Sequence, residues 1–176
     1  DDNGLDFDEA WDITRRTFSY TNHTLLPEAL ESWPVPLFER LLPRHMQIVY
    51  AVNSRLLAEA RRLGQFDDGA IGAISLIDEH GGRRVRMGNL AFAGSHSVNG
   101  VSALHTDLMK ETVFADLHRL YPARINNKTN GVTFRRWLMQ CNPGRTTLIR
   151  DAIGDRFLGG VPDDSTEPIA DKRVDV

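Results

Sequence analysis

The segment from Pro43 to Gly64 places the strongest constraint on how this chain can fold. Met46, Val49, Val52 or Asn53, Leu56, Ala60 and Leu63 recur at three- and four-residue intervals, which puts them along one face of an α-helix. Proline suits the first turn of such a helix. Glycine suits its end, because it adopts the left-handed backbone that closes a last turn. A long helix with one apolar stripe needs a core to lie on.

The neighbouring segments read mostly as shorter helices joined by polar loops. Asp8 is an expected N-cap, with Trp11, Thr14 and Phe18 at helical spacing behind it. Pro27 and Glu28 open a short helix in PEALE, and Pro34 and Pro36 then break the chain. FDDGAIGAISLIDEH reads as a short helix and a turn, and GGRRVRM as a Gly-Gly turn leading into an extended piece. NLAFAGSHSVNGV is small, apolar and punctuated by glycine, which suits either close backbone packing near a buried site or a plain core segment.

A second long helix is expected over Val101–Leu120, with Val101, Leu104, Leu108, Thr112, Val113, Leu117 and Leu120 on one face and Tyr121-Pro122 as its end. INNKTNGVTF is then a polar loop, RRWLMQCN a helical stretch, and Pro143 the opening of another helix. Residues 159–176 are rich in Pro, Gly and charge and read as a loop or frayed end, or the place where a larger protein was cut. The expectation is a mainly α-helical chain with little strand, whose elaborate polar loops belong to a larger body.

Composition excludes several functions. The 176 residues are 41% hydrophobic and carry a formal charge of -3, an ordinary balance that gives no electrostatic reason to expect nucleic acid or an anionic membrane as partner. No apolar run approaches a membrane span, and no basic-then-apolar leader opens the chain. Cys141 is the only cysteine, so an intramolecular disulfide and a Cys-based zinc site are ruled out. A cytoplasmic setting is expected. The sequons Asn22-His23-Thr24 and Asn127-Lys128-Thr129 are accidental on that reading.

The chemistry-bearing motifs are sparse. None of the six histidines forms the i, i+4 pair of a helical zinc site, and His105 on an apolar helix face reads as a hydrogen-bonded core histidine. GxSxG, GxxxxGK[ST] and GxGxxG are all missing. Cys141, within an apparent helix, is expected to pack as a small hydrophobe. Two polar loops remain, YTNHT and NNKTNG. Asn, His and Thr are suited to sugar hydroxyls because they combine donors and acceptors in fixed directions, although the same residues also make ordinary turns. Arg135-Arg136 beside Trp137 is equally suited to binding an anion or to solvating a helix face.

The order YTNHT, PEALE, LLPRH, GSHSVNGV, NKTNG and RRWL resembles the central region of the glycogen/starch (α-glucan) phosphorylases, over about residues 5–157. That resemblance implies an α/β parent enzyme with two Rossmann-like, GT-B-type domains. Residues 1–130 would end its N-terminal glucan-binding domain, and residues 131–176 would begin its C-terminal cofactor-binding domain. It implies phosphorolysis of terminal α-1,4-linked glucose to glucose 1-phosphate, in a cytoplasmic homodimer that uses pyridoxal 5′-phosphate. By the family's motifs, His23 and Asn130 contact the transferred glucose, Thr24 and Ala29 line the space beside it, and Trp137 lies in the cofactor pocket.

The family's cofactor lysine motif, EASGxxxMK, does not occur in these residues. Phe134 stands where the family carries proline in NGxTPRRW, which removes a fixed φ at a helix start. The resemblance therefore leaves a second reading open, a non-catalytic glucan-binding remnant or interaction fragment of such an enzyme.

Overall fold

The computed structural model describes residues 4–131 and 135–154, so Phe134 and the tail from residue 155 lie outside the described residues. The chain divides into two compact units, one up to Lys128 and one from Thr129.

The first unit is built on α3 (Pro43–Leu63), which buries Met46, Val49, Val52, Leu56 and Ala60 as its spacing requires. Gly64 closes it with φ +66. Leu63 is 41% exposed and drops out of the stripe. Of the Val52/Asn53 alternatives, Val52 enters the core. Asn53 instead turns to the chain after α4 (Asp68–Ile74), where its Oδ1 accepts from Leu76 N at 2.8 Å. Ahead of α3, α1 (Phe7–Thr17) takes its cap two residues before the expected Asp8. Asp6 accepts from Glu9 N at 2.8 Å, and Asp8 is free to pair with Arg55 of α3, also at 2.8 Å.

The expectation of a mainly helical chain with little strand holds: among the described residues six strands of two to four residues each form two small sheets. Strands β1 (Ser19–Thr21), β5 (Ser97–Gly100) and β6 (Ile125–Asn127) form a parallel sheet in the order β1-β5-β6. The registers pair Thr21 with Asn99, and Gly100 with Asn127. An antiparallel sheet joins β2 (Ser32–Pro34), β4 (Arg84–Arg86) and β3 (Ile77–Asp78), with Val85 opposite both Trp33 and Ile77. PEALE yields one 3₁₀ turn, Pro27–Ala29, before α2 (Val35–Leu41). The glycine-punctuated stretch resolves into α5 (Met87–Ala93) and the strand β5.

The helix expected over Val101–Leu120 is two helices, α6 (Ala103–Glu111) and α7 (Ala115–Leu120), broken at Thr112–Phe114. Leu117 and Leu120 are buried in α7 as expected, but the buried face of α6 differs. Thr106 and Met109 are buried in α6, whereas Leu104 is 71% exposed. The cause is tertiary: α6 packs by Thr106 against Gly100 of β5, so the face is set by the strand and not by the leucine spacing.

Tyr121 follows α7 and donates to Glu59 of α3 at 2.6 Å, with the Arg124 guanidinium stacked 3.6 Å from its ring. Burial, followed by the bond to Glu59, raises the phenol well above its ordinary value. The neutral phenol is thus favoured by the fold. Its contribution is complete below about pH 10, where the unfolded phenol titrates, and is lost as pH rises through the folded-state value. Urea midpoints are expected to fall above pH 10, and to fall less in Tyr121→Phe. Equal slopes in the two proteins would count against this linkage.

In the second unit a π-helix, Arg135–Gln140, precedes α8 (Pro143–Ile153). Asn142 caps α8 by accepting from Arg145 N at 3.0 Å, and Thr146 Oγ1 donates to Met139 O at 3.3 Å. Cys141 lies in the turn between the two helices and is exposed, which corrects its expected role as a packed hydrophobe.

Candidate substrate-binding site at the carboxyl edge of the parallel sheet

Because β1, β5 and β6 are parallel, their carboxyl ends share one edge, the edge at which open α/β sheets receive ligands. YTNHT crosses that edge from β1. Tyr20 and Thr21 belong to the strand, and Asn22 N continues the ladder by donating to Asn99 O at 2.9 Å. Thr21 Oγ1 donates to Asn99 Oδ1 at 2.9 Å, so main chain and side chain both tie β1 to β5.

Beyond the strand the chain makes two nested polar turns. Asn22 Oδ1 accepts from Thr24 N at 3.1 Å, and Thr24 Oγ1 accepts from Leu26 N at 3.2 Å. His23 occupies the first turn, exposed and without a hydrogen bond among the described residues. Thr24 is half-buried in its capping role. Ala29 is exposed in the following 3₁₀ turn, where its N–H donates to Leu26 O at 3.0 Å. The structure therefore gathers His23, Thr24 and Ala29 on one short loop. Asn130 and Trp137 belong to the other unit, both exposed; Trp137 is on the π-helix.

The second strand end carries residues whose roles the sequence did not show. Ser102 caps α6 by accepting from His105 N at 3.1 Å. His105 is half-buried, and its Nδ1 accepts from Val101 N at 3.3 Å. Its hydrogen-bonded side is thus turned to the strand end, partly as expected of a core histidine. Nε2 is buried with no partner among the described residues. Thr106 Oγ1 donates to Ser102 O at 2.8 Å and lies 3.1 Å from Asn127 Oδ1, while Lys128 N donates to Gly100 O at 3.1 Å. Glycine at the end of an apolar run was the available signal for such close packing.

The edge offers an imidazole that can both donate and accept, set among side-chain amides and hydroxyls. This chemistry suits a neutral polyhydroxyl ligand. Among the described residues no His, Cys, Asp and Glu group could hold a metal ion, and no helix is long and apolar enough to cross a membrane.

Residues 1–163 match the carbohydrate phosphorylase family, and the chain belongs to that family. It is 50% identical to the liver form of glycogen phosphorylase from Bos taurus over 154 residues. The brain form from Rattus norvegicus and the muscle form from Homo sapiens are each 49% identical over the same length. Each alignment covers 88% of this chain but 18% of the relative, so the chain spans under a fifth of the length of the proteins it resembles.

Proposed function

We propose that this chain is the central segment of an α-1,4-glucan phosphorylase, which transfers the terminal glucose of glycogen, starch or maltodextrin to inorganic phosphate and releases glucose 1-phosphate. The observation that carries the reading is His23, held exposed in the first of two hydrogen-bonded turns at the carboxyl edge of a parallel sheet, in a chain about 50% identical to glycogen phosphorylases. His23 and Asn130 contact the transferred glucosyl unit, and Thr24 and Ala29 bound the space beside it.

On this reading residues 1–130 end an N-terminal glucan-binding domain and residues 131–176 begin a cofactor-binding domain of a two-domain, GT-B-type enzyme. The division of the chain at Lys128–Thr129 supports that reading. The exposed indole of Trp137 suits one wall of a site for the planar ring of pyridoxal 5′-phosphate. When bound, that cofactor supplies acid–base chemistry through its 5′-phosphate. The whole enzyme works as a cytoplasmic homodimer, and the attachment lysine lies on a part of the polypeptide beyond these residues.

The test is phosphate-dependent release of glucose 1-phosphate from maltooligosaccharide by the full-length polypeptide. His23→Ala is expected to lower kcat/KM by about a hundredfold, the scale for losing one positioned hydrogen-bonding group at a reacting centre. Glucan binding without any release would instead identify a non-catalytic remnant. A variant with unchanged kcat/KM would remove His23 from the site.

A further inference from the structure

Asn22 is 1% exposed, the most deeply buried polar side chain among the described residues. Burying an amide is costly unless its groups are paired, and here they are. Nδ2 donates to Tyr20 Oη at 3.0 Å, Oδ1 accepts from Thr24 N at 3.1 Å, and the backbone N donates to Asn99 O at 2.9 Å. These bonds fix the residue before His23 and the residue after it, while leaving the imidazole exposed. A turn needed only to reverse the chain could be closed by a surface Asn or Ser without burying anything. Tyr20, which receives the amide, is itself wedged edge-on against Phe114, with ring centroids 6.2 Å apart. The turn around His23 is therefore anchored in the core.

We propose that Asn22 is a positioning residue that acts through His23, ordering its backbone before the sugar arrives. The inference rests on the proposed function. Loops ordered in advance lose less freedom on binding, and a displacement of about 1 Å at a reacting centre costs on the order of a hundredfold in rate.

The experiment is a double-mutant cycle in the full-length polypeptide, measuring kcat and KM for phosphorolysis of maltooligosaccharide by the unmutated protein, Asn22→Ala, His23→Ala and the double variant. Asn22→Ala is expected to lower kcat/KM by about tenfold or more when His23 is present, and by about twofold or less when His23 is already alanine. Effects that simply multiply would overturn the inference, since a purely structural Asn22 would matter equally in both backgrounds.

Tyr20→Phe, which removes only the hydroxyl receiving the amide, carries the same cycle if Asn22→Ala fails to fold. It is expected to show a smaller loss that likewise vanishes with His23→Ala, and multiplicative losses there would also overturn the inference. An unmutated protein with no phosphate-dependent turnover overturns the proposed function, and this inference with it. An active protein with multiplicative losses overturns the inference alone.

Discussion

Phe114→Ala is expected to destabilise the first unit by about 3–5 kcal/mol, the usual cost of emptying a buried phenylalanine site. Phe114 is 1% exposed at the break between α6 and α7. Its ring meets Phe92 at 5.4 Å between centroids and Tyr20 edge-on at 6.2 Å. A Cβ built on Gly88 of α5 would lie 3.6 Å from its Cζ, so the helix backbone comes close on that side. Strand β1 and helix α5 lean on this one ring, and neither can collapse into the space without losing its other contacts. Chemical denaturation with the slope held constant measures the loss. Phe114→Leu, which keeps much of the volume, should recover more than half of it. A Phe114→Ala loss under about 1 kcal/mol would show that the site collapses freely, contrary to the packing described.

The same residue shows where the sequence was legible and where it was not. The spacing of Met46, Val49, Leu56 and Ala60 could be read because α3 is long and its pattern is local. Thr112 and Val113 fit the apolar face of one continuous helix, and only the packing of Phe114 against Tyr20 and Phe92 explains why the chain breaks there. Strands of three or four residues are too short to show alternation, so β1, β5 and β6 passed as loops and glycine-rich core. Their parallel pairing joins residues far apart in the chain. Local pattern carries no record of that.

The site was legible in a different way. Polar composition left YTNHT open as a turn or a hydroxyl-binding loop, and the ordered run of family motifs singled out His23. The structure adds what neither could supply. It shows Asn22 as the buried anchor, Asn99 as its partner on β5, and Thr106 as the link to β6. Each depends on a residue brought close only by the fold.

Gly100→Ala is the second large effect, with an expected loss of about 3 kcal/mol, at the upper end of the usual cost of overpacking. Gly100 does not adopt a positive φ, so its requirement is space and not backbone freedom. A methyl group there would overlap Thr106 Oγ1 and come within 2.9 Å of both Thr106 Cα and His105 Nδ1. Thr106 cannot swing aside cheaply, because its hydroxyl is held by Ser102 O and Asn127 Oδ1. His105 is held by Val101 N. Relief therefore requires α6 to move away from β5, which strains the tie to β6 and disturbs the strand end beside the His23 turn. Gly72 in α4 is the control, since a Cβ there meets nothing within 4 Å and alanine is the better helix former. Urea denaturation should show Gly100→Ala clearly destabilised and Gly72→Ala equal to or above the unmutated chain. If Gly100→Ala matched Gly72→Ala, the close approach of α6 to β5 would be wrong, and the strand end could not be the rigid support that the His23 turn requires.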